Sequence, residues 1–497
     1  MKYGLSEKQL KEITDILASY EAVEKAILFG SRAIDTYKEA SDVDIAIKGE
    51  NADWSLAMTI KDHLEEETYL PFFFDVVAYG SVESEELKRH IDGKGKVLFE
   101  RGWSQWRECE LREVAEVQTG PFGSQLKNEQ YITGGTPVIT VEHINNFRID
   151  DFDYPSVTDE DKNRLAKYLL KAGDIIFTRV GSVDLSAFVK LHQDRWMFSS
   201  RMLRVRPIHE VDSRFLSYFF QQKRFREYIL NISVGATMPS INTEILKGIP
   251  VAYPPLPEQK AIAEVLSALD DKIDLLHRQN KTLEQMAETL FRQWFVVEAG
   301  EDWEETTLGE VIETTSGGTP SRKNMNFYEN GVYSWVKSKE LTGSFILETE
   351  EHISDAALEK SSAKLLPKHS VLIAMYGATV GEYSIISNQM TCNQAICALK
   401  PNSNYPYTFL FMFVKVMKEE IINMAVGSAQ QNISQILIKS LPIVAPNKKI
   451  NEFHIKTKNS FEKIENNIKQ IRTLQSLRNT LLPKLMSGEI RVKYDDK

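Results

Sequence analysis

The sequence predicts a mixed α/β (α+β) chain: a small N-terminal domain, then two tandem α/β globules, each followed by a long helix, the two helices pairing as an antiparallel coiled coil. Three observations predict it. Residues 106–490 repeat themselves at an offset of 192 to 197 residues. A heptad-spaced apolar run follows the first copy. The first 100 residues lie outside the repeat and carry most of the chain's acidity. The expected boundaries are 1–100 for the N-terminal domain, 103–256 and 301–447 for the two globules, and 257–297 and 448–490 for the helices.

At 497 residues the chain is long enough for several domains. A hydrophobic fraction of 42% and a charged fraction of 26% describe a soluble protein with substantial cores. No run of about 18 apolar residues is present to cross a membrane, and the N-terminus has no apolar signal core. The three cysteines, Cys109, Cys392 and Cys397, match no zinc spacing and read as buried thiols. The expected location is the cytoplasm, with no membrane partner. The net charge of −10 argues at first against nucleic-acid binding. It is unevenly placed. Residues 1–100 hold 12 basic and 21 acidic side chains, and the remainder holds 48 and 49. The balanced remainder leaves room for a basic face.

The N-terminal domain opens with Ala26-Ile-Leu-Phe-Gly-Ser-Arg-Ala33, a strand running into a Gly-Ser turn. Ser41-Asp-Val-Asp-Ile-Ala-Ile47 follows as a second strand. Asp42 and Asp44 lie two apart on it and so share one face. Asp75 sits inside the apolar Pro71-Phe-Phe-Phe-Asp-Val-Val77, where an unpaired carboxylate would be costly. Three carboxylates converging on a divalent ion would remove that cost and form a hard-cation site. This pattern resembles the minimal nucleotidyltransferase domain of the polymerase-beta-like superfamily. The resemblance implies that Gly30 and Ser31 hold a nucleoside triphosphate, while Asp42, Asp44 and Asp75 bind Mg²⁺ and act as the catalytic acids. Asp35 departs from the pattern, since many relatives carry Gly there. Two acceptor classes stay open: a protein side chain or a nucleic-acid end.

The repeat organises everything after it. Trp106, Leu111, Val114 and Gly120 match Trp303, Leu308, Val311 and Gly317; Leu170 and Gly181 match Leu366 and Gly377. Gly235-Ala-Thr-Met-Pro-Ser-Ile-Asn matches Gly427-Ser-Ala-Gln-Gln-Asn-Ile-Ser, and Lys247, Pro250 and Pro254 match Lys439, Pro442 and Pro446. Each copy opens with a Trp and a Leu-x-Glu-Val segment. A Gly-rich turn follows, Thr119-Gly-Pro-Phe-Gly-Ser124 or Ser316-Gly-Gly-Thr-Pro-Ser321. Short apolar runs such as Pro137-Val-Ile-Thr-Val and Asp174-Ile-Ile-Phe-Thr, bounded by Gly, Asn and Asp, read as strands. No strand–Gly-loop–helix with a following Lys-Ser/Thr appears, so the Gly-rich turns read as backbone turns rather than phosphate cradles.

After Pro254-Pro-Leu-Pro257 the period becomes helical. Ile262, Leu266, Leu269, Ile273, Leu276, Asn280, Leu283, Ala287, Leu290 and Trp294 alternate by four and three, a heptad seam whose one polar position, Asn280, would fix register. Ile464, Ile471, Leu474, Leu481 and Leu485 form a looser second seam. Rods of about 50 Å cannot hide a seam within themselves, and each is the other's obvious partner. Antiparallel pairing would hold the globules at opposite ends, as a ruler for two DNA half-sites.

Residues 103–490 resemble the specificity subunit of type I restriction-modification enzymes. The segments that carry this are Ser316-Gly-Gly-Thr-Pro-Ser321, Lys171-Ala-Gly-Asp-Ile-Ile-Phe177, Gly377-Ala-Thr-Val-Gly381, Asn393-Gln394, Gly427-Ser-Ala-Gln-Gln-Asn-Ile433 and Pro254-Pro-Leu-Pro-Glu-Gln-Lys-Ala-Ile262. The second copy departs from the last of these with Ala445-Pro-Asn-Lys-Lys-Ile450. The resemblance implies two target-recognition domains reading a bipartite site in double-stranded DNA. It implies two modification (methyltransferase) subunits and ATP-dependent restriction subunits as partners. Those partners would bind S-adenosylmethionine and ATP, and the specificity part itself would take no cofactor. Base readout needs donors and acceptors on loops. The candidates are Ser124, Gln125, Lys127, Arg179, Ser200 and Arg201 in the first domain, and Ser321, Arg322, Lys323, Lys337, Tyr376 and Gln394 in the second. Lys223-Arg-Phe-Arg226 reads as a surface helix face that could meet phosphates. Two other whole-chain readings compete: a nucleotidyltransferase of a toxin–antitoxin-like defence system delivered to DNA by the repeat, and a coiled-coil scaffold. Two differently sequenced globules favour the reading of two different half-sites.

Overall fold

The computed structural model describes residues 3–20, 22–38, 40–100, 106–150, 152–235, 237–425 and 432–492. Two compact units divide the chain: Met1–Glu264 together with Leu482–Lys497, and Val265–Leu481. The matching turns at Gly235 and Gly427 fall partly outside the described residues, since Ala236 and residues 426–431 are among those left out, as are residues 103–105 at the start of the first globule.

The first unit begins with helix α1 (Glu7–Ser19), started by a Ser6–Gln9 capping box. It continues through strand β1 (Lys25–Phe29), the helical turn α2 (Gly30–Ala33), β2 (Val43–Lys48), α3 (Trp54–Glu66), β3 (Phe74–Ala78), α4 (Glu85–Lys94) and β4 (Lys96–Glu100). The sheet order is β3-β2-β1-β4, with β2 and β3 parallel and the other pairs antiparallel. Strand alternation sorts β2 into two faces. Val43, Ile45 and Ile47 join the core that contains Ile13 and Leu17 of α1 and Ile60 and Leu64 of α3. Ala46 joins Ile27, Phe29 and Ile91 of α4 on the opposite face, which is therefore the face of Asp44.

The rest of this unit is the first globule. Its larger sheet runs, in spatial order, Ser186–Phe188, Ile175–Thr178, Met202–Pro207, Ala115–Thr119, all antiparallel. A smaller sheet places Ser156–Val157, Thr136–Ile139 and Met197–Phe198 side by side, the last pair parallel. Leu126, Val138, Ile139, Ile176 and Phe198 are buried together. The Lys171-Ala-Gly-Asp segment has a structural explanation. Asp174 is buried, accepts from the Lys171 amide at 2.8 Å and pairs through both oxygens with Arg206 at 2.7 Å.

The second unit repeats this anatomy. Its larger sheet runs Glu313–Ser316, Ile396–Lys400, Val371–Ala374, Tyr383–Ile386, Phe345–Ile346. Its smaller sheet runs His352–Ile353, Tyr333–Val336, Thr391–Cys392, with the last pair again parallel. The duplication seen in sequence is thus a duplication of topology with one addition: Phe345–Ile346 extends the second larger sheet by a strand parallel to Tyr383–Ile386. Cys392 and Cys397 are buried free thiols, pushed up to about 12 by burial, while Cys109 is only half-buried.

The long helices span Leu256–Arg292 and Asn447–Met486. The first ends in a π-helical turn, Gln293–Val297. Within the second unit they run antiparallel. Asp270 pairs with Arg478 at 2.8 Å, Ile273 and Leu276 pack with Ile471 and Leu474, Asn467 donates to Asn280 at 2.7 Å, and Phe291 meets Phe453 edge-on. The Asn280 expected from the seam faces Asn467, a fully buried amide that also donates to Gln279 at 2.8 Å. In the first unit Glu258 is buried and paired with Arg491. Gln259 beside it accepts from the Asp212 amide at 2.8 Å and donates to the carbonyls of Glu210 and Pro254. The Pro-Glu-Gln sequence is therefore a buried latch as well as a helix start.

Candidate functional site

In the N-terminal domain the Gly-Ser turn meets the Asp-x-Asp strand closely. Gly30 has φ +66°, and a Cβ there would lie 2.1 Å from Oδ2 of Asp44. Only glycine fits both the conformation and the space. Asp44 pairs in register with Asp75 across the parallel β2–β3 ladder, and strand alternation puts Asp42 on the same face. Burial, then Asp75 and then Asp42 push the Asp44 carboxyl up to about 6, against the opposing pull of Arg32 and His90. Asp42 and Asp75 are exposed. The expected cost of burying Asp75 does not arise, because β3 is an edge strand that turns this side chain outward. The oxygen donors suit a hard divalent cation, and the Gly30 cradle leaves backbone room beside Asp44. As the side chains stand, no group of three or more His, Cys, Asp or Glu among the described residues is gathered closely enough to hold a metal ion. Asp35 has φ +56°. The departure from Gly therefore falls at a left-handed position, which Asp tolerates better than most residues.

Sequence reasoning missed two neighbours. Arg32 is only 1% exposed. Its guanidinium donates to the carbonyls of Ser41 (2.7 and 3.1 Å), Asp42 (3.1 Å) and Tyr3 (3.1 Å), and lies over the Phe72 ring. It thereby fastens the chain just ahead of β2 to the Gly-Ser turn. His90 acts electrostatically on Asp44, and its Nε2 is buried without a hydrogen-bond partner.

In the first globule the Gly-rich turn sits on the end of the larger sheet. The Gly120 amide donates to Met202 O, and a Cβ on Gly120 would lie 2.1 Å from Ser199 O. Arg179, Ser200 and Arg201 are brought together there. The Arg179 amide donates to Arg201 O at 2.8 Å, its Nη1 to Ser200 O at 3.3 Å, and its guanidinium lies 5.5 Å from the Phe122 ring centre. Ser124 and Lys127 are exposed on the same turn. Gln125 is committed to the fold, accepting from Tyr168 Oη at 2.6 Å through its side chain and from Arg164 through its carbonyl. The Lys223–Arg226 face is also largely engaged: Arg226 pairs with Asp184, and Arg224 donates to Met486 O.

The second globule has the equivalent turn. Gly317 packs on the carbonyls of Cys392 and Asn393, the Gly318 amide donates to Cys392 O, and Thr319 bonds to Gln394. Tyr376 follows Met375, whose amide donates to Ala395 O. Trp335 Nε1 donates to Gly318 O at 3.0 Å and Tyr328 Oη to Pro320 O at 2.7 Å, so the turn is bolted to two aromatic rings. Arg322 lies over those rings, 4.2 Å from the Tyr328 centre and 5.3 Å from the Trp335 centre, and pairs with Glu351 at 2.6 Å. Lys337 pairs with Glu350 and Glu351 at 3.0 and 2.8 Å. Lys337 and Arg322 together hold the Glu351 carboxyl below its ordinary range. Ser321 and Lys323 are exposed beside them. The aromatic shelf and its carboxylates were not read from sequence, because Tyr328, Trp335 and Glu351 form no spaced motif with the turn.

Known proteins resemble both parts of the chain. Residues 11–102 match the polymerase beta nucleotidyltransferase family. The chain is 27% identical over 415 residues to the type I restriction enzyme MjaIX specificity subunit of Methanocaldococcus jannaschii, covering 78% of this chain and 94% of the relative. It is 25% identical over 406 residues to the HindI specificity subunit of Haemophilus influenzae, covering 65% and 88%. Its fold is similar to the crystal structure of a type I restriction-modification S subunit from M. genitalium, with TM-score 0.53 and 16% identity over 80% of this chain and 98% of that one. No helix among the described residues is long and apolar enough to cross a membrane. Residues 104–285 and 300–477 each match the type I restriction modification DNA specificity domain, and with both copies matched the chain belongs to that family.

Proposed function

We propose that this chain targets a type I restriction-modification complex to a split DNA sequence. Each globule reads one half-site in double-stranded DNA, and the paired helices set the unread gap. The observation that carries this is the duplicated surface. In both globules a Gly-rich turn is seated on the end of the larger sheet and gathers polar side chains around it, and those side chains differ between the copies. The partners are two modification subunits that methylate adenine with S-adenosylmethionine, and restriction subunits that use ATP. Its place of action is the cytoplasm. The test is methylome sequencing of cells carrying the modification subunits with and without this chain. The expected result is a bipartite adenine-methylation motif that requires the chain. Unchanged methylation would overturn the reading.

The N-terminal domain we read as a nucleotidyltransferase. Gly30 and Ser31 cradle a nucleoside triphosphate, and Asp42, Asp44 and Asp75 offer the carboxylates for Mg²⁺. When bound, the ion supplies charge neutralisation of the triphosphate for an in-line attack. Arg32 and Gly30 hold the turn and the strand at the spacing this needs. Asp42→Ala with Asp44→Ala is expected to abolish Mg²⁺-dependent nucleotide transfer, assayed with labelled triphosphate, and to leave the methylation motif intact.

A further inference from the structure

We propose that Arg322 reads a guanine in the second half-site, held for that task by Tyr328, Trp335 and Glu351. The assignment rests on the target-recognition reading above. Among the six candidates in this globule, Arg322 combines an exposed head with contacts from three side chains, Tyr328, Trp335 and Glu351. Its side chain is 55% exposed. Trp335 beneath it is 3% exposed and anchored to the Gly318 carbonyl. Tyr328 is anchored to Pro320, so the shelf and the residue it carries belong to one rigid turn. The guanidinium rests over both rings, which stand edge-to-face, and Glu351, itself held by Lys337, engages one of its terminal nitrogens. A planar fork of donors held in this way matches the O6 and N7 acceptors of guanine in the major groove, the commonest bidentate base contact of arginine. A phosphate contact carries no sequence information, so a change of motif is the mark of a base contact. Lys337 is spent on two carboxylates and is a support rather than a reader.

The test compares methylomes of the intact complex carrying wild-type chain, Arg322→Ala, Arg322→Lys and Glu351→Gln. Arg322→Ala is expected to make one G·C position of the second half-site degenerate. Discrimination there should fall about ten- to a hundredfold, with the first half-site and the remaining positions retained. Arg322→Lys keeps the charge and the stem but not the fork, and is expected to relax the same position. Glu351→Gln should relax it partly. An unchanged motif in both Arg322 variants, or a uniform fall in methylation at every site as a phosphate contact would give, overturns the assignment while leaving the targeting role standing. A wild-type motif that does not depend on the chain overturns the targeting role itself.

Discussion

Asp44 binds a proton in the folded domain at pH values where an unfolded aspartate has lost it. Its carboxyl is raised to about 6 by burial and by Asp75 and Asp42. The sign follows from linkage. Between about pH 4 and pH 6 the folded state holds more protons than the unfolded one, so stability falls as pH rises through that window. Asp44→Asn is expected to remove this slope and to raise the hydrogen-exchange protection of β1 and β2 at pH 7.5, while nucleotide transfer is lost. Divalent-cation affinity should weaken as pH drops through 6. Arg32→Lys keeps a cation but loses the fork that spans three carbonyls, and should cost on the order of 2–4 kcal/mol in this domain. Increased exchange confined to residues 25–48 would report it. The acids were legible in the sequence because Asp-x-Asp on a strand is a periodic pattern. Arg32 was not, because a charged residue in a turn reads as solvated, and its carbonyl partners come from separated stretches of chain.

The helical seam was legible for the same reason of period: every position assigned to it is buried or half-buried. The polar break at Asn280 was visible, but its partner Asn467 was not, because the second seam is interrupted and its apolar positions are fewer. Asn467→Leu alone leaves Asn280 and Gln279 without their donor and is expected to destabilise the second unit by about 1–3 kcal/mol. The double variant Asn280→Leu with Asn467→Leu should recover that loss in urea melts, because two apolar groups replace a buried polar pair. The Pro-Glu-Gln segment shows the opposite limit. Its sequence marks a helix start, yet Glu258 and Gln259 are buried and bonded to residues far along the chain. Spacing alone cannot show a contact made by residues 233 positions apart.

At the scale of the molecule, the repeat predicted two globules of one anatomy; the smaller sheets and four strands of each larger sheet match, and Phe345–Ile346 is an addition of the second. The candidate base contacts were legible only as a crowd. Most of them converge on the Gly-rich turns, but the distinction between a reader and a support lies in Glu350, Glu351, Tyr328 and Trp335, which no motif contains. Charge separates the N-terminal domain from the rest: residues 1–100 carry nine of the ten net negative charges, which disfavours a grip on phosphates. Deleting residues 1–100 is therefore expected to leave the methylation motif unchanged, as read by methylome sequencing.

The pairing of Arg491 with Glu258 has a consequence for synthesis. The first unit is assembled from Met1–Glu264 and Leu482–Lys497, whereas the second, Val265–Leu481, is one continuous stretch. A ribosome therefore releases all of the second unit before it releases the residues that complete the first. Domains commonly fold as units, N-terminal first, as they emerge. Here the earlier-made globule must wait, with Glu258 unpaired, for the last part of the chain to arrive.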